Sequence, residues 1–150
     1  MIENLCNWLA GTTVSVAFQS WGWFVPTVQV VHILCVGIVF TAILRLSVLF
    51  IARRADSRGA AELWLRLRPS VWTALLVLLL TGTLLTIAEP ARELLNWVFR
   101  TKMLLVMVLV GLLATLPRLN FQQATGRALG LLLLTVGLAL ITAGRWIAYV

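Results

Sequence analysis

His32 is the only histidine in the chain and Lys102 the only lysine, and both lie inside long apolar runs. A charged side chain at such depth costs about 2.5–3.5 kcal/mol on insertion scales, so an ionisable residue there marks a candidate site. Depth can be counted at 1.5 Å per helical residue. His32 follows Trp23 by nine residues, roughly 13 Å, and Lys102 follows Trp97 by five, roughly 8 Å. Gly82 precedes Glu89 by seven residues, roughly 10 Å, while Arg145 adjoins Trp146 at the end of the last run. Four helices thus offer an imidazole, a gap in the side-chain layer, an ammonium and a guanidinium at related depths.

A haem b pocket uses such a set. Neutral imidazole is a standard axial ligand to haem iron. Glycine lets a flat macrocycle approach a helix backbone, and Lys102, Arg145 or Arg100 can pair with propionates. Gln29, one turn from His32, is placed to orient the imidazole. A copper reading also stands. Cys35 is at i+3 from His32, Met103 and Met107 are one turn apart, and soft sulfur ligands suit copper(I). Plainer roles compete with both. His32 can hydrogen-bond between helices, Lys102 can snorkel to the interface, Arg145 can anchor beside Trp146, and glycines and sulfur residues pack membrane helices routinely. No second histidine, intramembrane carboxylate pair or glycine-rich phosphate loop is present, so hydrolytic and phosphoryl chemistry find no set of residues.

The elements that must position these groups follow from hydropathy. The 150 residues are 61% hydrophobic and 11% charged, with mean hydropathy +1.01, the composition of a membrane protein. Four runs, at about 24–51, 70–88, 94–116 and 128–148, are long enough to cross a bilayer. Residues 2–19 are too polar to span, and Ile2, Leu5, Cys6 and Leu9 at helical spacing predict an amphipathic helix lying in the interface. Glu3 near the N-terminus argues against a cleaved signal peptide. Pro26, Pro69, Pro90 and Pro117 read as boundary signals, and Asn120 as a helix cap. Short connections predict an antiparallel four-transmembrane-helix bundle, an all-α single integral membrane domain.

The net charge of +7 is explained by topology, with no nucleic-acid partner implied. Arg53, Arg54, Arg58, Arg66 and Arg68 cluster in the first connection, and Arg118 and Arg127 in the third. The positive-inside rule places these in the cytoplasm and both termini outside. Trp21, Trp23, Trp97 and Trp146 then mark the outer interface, with Trp64 and Trp72 at the inner one.

The stretches VVHILCVGIVFTAILRLSVLF and FRTKMLLVMVLVGLLATLPRLN resemble core helices of the CopD-like group, which includes the HemJ-type protoporphyrinogen oxidases. The resemblance implies haem binding involving His32 and Lys102, with porphyrinogen oxidation or copper import as activities of that group. The closing AGRWIAY is similar to the ending of an uncharacterised family of small four-helix bacterial membrane proteins, a likeness that covers nearly the whole chain and implies no activity. The expectation is a haem b-binding, cytochrome-like protein of the bacterial inner membrane, with copper handling, or a subunit role in a homo-oligomer or larger membrane complex, as alternatives.

Overall fold

The computed structural model describes residues 2–52, 57–116 and 123–147, and among these the regular structure is entirely helical. In chain order the helices are α1 (Ile2–Ala10), α2 (Thr13–Ser20), α3 (Phe24–Ile51), α4 (Ser57–Ala88), α5 (Pro90–Leu94), α6 (Trp97–Thr115) and α7 (Gln123–Trp146). Helices α3, α4, α6 and α7 are each long and apolar enough to cross a membrane. The fold is therefore an all-α bundle of a multi-pass membrane protein. Its many exposed leucines, valines and isoleucines, such as Leu34, Leu80, Leu104 and Leu131, form the surface that meets lipid.

The main core is concentrated at one end of the bundle. Helix α4 packs on α3, α3 on α7 and α7 on α6, while α4 and α6 make at most marginal contact. Apolar residues at helical spacing form this core. These are Val39, Ile43, Leu46 and Phe50 of α3, Ala60, Trp64, Val71 and Ala74 of α4, Leu109 and Leu113 of α6, and Leu129 and Leu133 of α7. Glycines set the α3–α7 distance. A methyl group on Gly130 would lie 2.9 Å from Phe50 Cβ and 3.1 Å from the Ser47 carbonyl oxygen, so the backbones meet there without a side chain between them. Towards the α5 end the long helices bury fewer residues, among them Thr81, Ala88 and Val98.

Two elements differ from the sequence reading. Helix α4 starts at Ser57, well before the expected 70, and carries Pro69 in its interior, so this proline is not a boundary. The arginines hid an apolar stripe at Ala60, Trp64, Leu67, Val71 and Ala74 that packs into the core. On the outer face Glu62 and Arg66 pair at 2.6 Å across one helical turn. Trp64 is consequently only 4% exposed, a core residue and not an interface marker. The expected single interfacial helix is two. Helix α1 ends where Gly11 N–H bonds the Asn7 carbonyl, and Thr12 caps α2 by accepting from Ser15 N–H. Both dock on the bundle, α1 against α5 and α2 against α4. The expected roles of Pro117 and Asn120, and of Arg53, Arg54 and Arg118, fall outside the described residues.

Gln19 secures this docking. Its Nε2 donates to the Ala88 carbonyl at 2.9 Å and to Ser15 Oγ at 3.1 Å, satisfying one of the carbonyls that the end of α4 would leave open. Gln19→Ala should lower stability by about 1 kcal/mol, the usual net worth of such a bond, in reversible unfolding in mixed micelles.

Candidate functional site

A cleft of about 480 Å³, within the ~300–1,000 Å³ typical of small-molecule sites, lies among α3, α4, α6 and α7. Its floor is α3 and α7, with Val36, Phe40, Gly137 and Leu140. Its walls are α4, from Trp72 to Thr86, and α6, from Phe99 to Val110. The stretch of α4 from Trp72 to Thr86 corresponds to a length of roughly 21 Å. The lining is apolar except near the α5 end, where His32, Thr83, Thr86 and Lys102 gather.

His32 is anchored to α4. Its Nδ1 lies 2.8 Å from Thr81 Oγ1. Thr81 Oγ1 also lies 2.7 Å from the Val77 carbonyl, to which its hydroxyl can donate. With that proton on the carbonyl, Thr81 accepts and His32 Nδ1–H donates. The lone pair then resides on Nε2, across the ring, in a side chain that lines the cleft. Gly82, next to Thr81, faces the same imidazole. A methyl group there would sit 3.6 Å from His32 Cε1, so any longer side chain would press on the ring.

The remaining hydroxyls of the cleft are turned inward. Thr83 donates to the Leu79 carbonyl and Thr86 to the Gly82 carbonyl, each along its own helix. Lys102, which also lines the cleft, makes no side-chain hydrogen bond or ion pair among the described residues. A basic lone pair and an ammonium are thus the two polar features a ligand in the cleft can engage.

Glu93, on the connection α5, is the acid nearest this system. Burial pushes its carboxyl up from the usual carboxylate value, Lys102 and Arg92 pull it back, and Glu89 pushes it up again. The folded chain therefore holds this proton more tightly than the unfolded chain, whose glutamates titrate near ~4.3. Stability falls as pH rises from that value through the folded-state pKa. Glu93→Gln should flatten this part of the stability profile, as read by unfolding midpoints between acid and neutral pH.

The cleft unites His32, Gly82, Lys102 and Met103. Gln29 and Arg145 are both exposed and do not line it, and Arg100 is exposed as well. Cys35 is buried in the core cluster, off the cleft. The residue that sequence reasoning missed is Thr81. Its signal was a hydroxyl beside the glycine already matched in depth to His32. Trp72, read as an interface marker, lines the far end of the cleft.

Among the described residues no three His, Cys, Asp or Glu side chains converge on a point where they could hold a bare ion. A porphyrin brings four nitrogen ligands of its own and asks one imidazole of the protein. The donor chemistry, the apolar lining and the cation beside it fit that group. No protein-family model matches the sequence, and no curated protein or solved structure is significantly similar to it. Fold and site together describe a membrane-embedded four-helix bundle with a lipophilic cleft and one oriented imidazole.

Proposed function

We propose that the chain is a haem b-binding protein with a redox or electron-transfer role in the bacterial inner membrane. The observation that carries this reading is the contact of His32 Nδ1 with Thr81 in an apolar cleft, which, with Thr81 accepting, leaves the Nε2 lone pair for a ligand. Bound haem would supply one-electron chemistry. The protein's own part is to hold it. His32 offers the axial nitrogen, and Thr81 fixes the ring and raises its basicity through the Nδ1 hydrogen bond. Gly82 leaves room beside the imidazole, and Lys102 offers a charge for a propionate. The arginine-rich connections lie on the cytoplasmic side in this reading, which sets the α5 end, and with it the polar end of the cleft, towards the periplasm.

Titration of the purified chain with haem in vesicles tests the proposal. The expected result is a Soret band that saturates near one haem per chain. Absence of any such band ends the reading. Thr81→Val keeps the shape and removes the acceptor, and should weaken haem binding by about 10–100-fold, the usual cost of losing such a supporting partner. Thr81→Ser, which keeps the hydroxyl, should restore most of it.

A further inference from the structure

We infer that the cleft is filled sideways, from within the bilayer, through the slot between α4 and α6, by a tetrapyrrole dissolved in the acyl-chain layer. The inference rests on the haem reading and adds the source of the ligand.

The geometry of the two ends and the side supports it. At the α5 end, the short helix Pro90–Leu94 joins α4 to α6 and packs on both. Helix α1 packs on α5, with Cys6 Sγ 3.7 Å from the Pro90 carbonyl oxygen, and Gln19 ties α2 to Ala88. Cys6, Ser15, Ala88 and Pro90 are all buried in this cover. At the opposite end the core of Leu46, Trp64, Leu113 and Leu133 closes the bundle. Between them, the backbones of α4 and α6 approach each other at most marginally.

The rim of the side opening is made of apolar groups that also line the cleft. Leu76, Leu79 and Met103 are 58%, 63% and 43% exposed, so the cleft lining reaches the lipid-facing surface. Threonines on the rim keep their hydroxyls bonded along their own helix, so the path carries no polar barrier. A flat apolar molecule crossing it exchanges acyl chains for side chains of similar polarity, with little desolvation to oppose it. Its carboxylates can stay near Lys102 at the end where the cleft is polar. The reaction that supplies the ligand must then release a tetrapyrrole into the membrane, not into water.

Loading kinetics distinguish the routes. Full-length protein in phosphatidylcholine vesicles is mixed with vesicles carrying haem, and Soret growth is followed by stopped flow. Leu79→Trp combined with Met103→Trp narrows the slot and should slow loading by about tenfold. It should slow release to haem-free vesicles as well, which lost contacts would instead accelerate. Leu76→Trp, at the same rim, should slow loading independently of that pair. Ala91→Trp, on the exposed face of α5, should leave both rates unchanged. Slot variants that load at the wild-type rate, or slowing by Ala91→Trp alone, overturn sideways entry while haem binding itself stands. A wild-type chain with no Soret change at any haem concentration overturns both readings.

Discussion

If the haem reading holds, His32→Ala should abolish the Soret band across the accessible haem range. The loss exceeds the roughly hundredfold that removing a supporting hydrogen bond can cost, because the ligand nitrogen itself is gone. The fold should survive the change. Thr81 keeps its bond to the Val77 carbonyl, and only an acceptor lone pair on its hydroxyl loses a partner. No buried donor is orphaned, and the vacated space opens on a cleft that already exists. Gln29→Ala and Cys35→Ser serve as contrasts. Gln29 is exposed and Cys35 lies in the core, so neither should shift the haem titration. Metal analysis of Cys35→Ser after growth with copper addresses the copper reading in the same set. Bound copper that vanishes with the thiol would favour that role over the haem one.

Gly130→Ala should destabilise the bundle by about 1–3 kcal/mol, the usual range for overpacking. The added methyl would stand 2.9 Å from Phe50 Cβ and 3.1 Å from the Ser47 carbonyl oxygen. Both are close to the main chain, so α3 and α7 must move apart, since no flexible side-chain end is there to yield. A leucine at the same position should prevent assembly of the α3–α7 pair. Gly111→Ala supplies the opposite sign. A methyl there meets nothing within 4 Å, and alanine is better than glycine in a helix by about 1 kcal/mol. Unfolding in mixed micelles should therefore rank Gly111→Ala at or above wild type and Gly130→Ala well below it. Equal stabilities for the two variants would mean that the close crossing at Gly130 does not form.

The contrast between these glycines shows what a sequence can and cannot tell. All four spans were legible, and α3 begins and ends at the expected residues. Hydropathy reports length and depth, and these govern a membrane fold strongly. The meeting of His32, Gly82 and Lys102 followed from counting depth alone. Depth says nothing about which side of a helix a residue occupies, however. Gln29 is one turn from His32 yet exposed, and Arg145 is near the correct level yet off the cleft. Thr81 escaped notice because threonines in membrane helices usually bond only their own backbone, as Thr83 and Thr86 do here. The extension of α4 was masked by charge. Arg66 and Arg68 lie on the exposed side of a helix whose other side is core.

The marginal contact between α4 and α6 has a thermodynamic corollary. Three of the four neighbouring pairs in the ring pack closely, and the fourth flanks the cleft. A guest there becomes a keystone, touching both uprights at once and joining them through its own body. Its affinity then adds to the cohesion of the whole by mass action, about 2.7 kcal/mol at a concentration one hundred times Kd. The empty and filled forms should differ most in how firmly these two helices are held relative to each other.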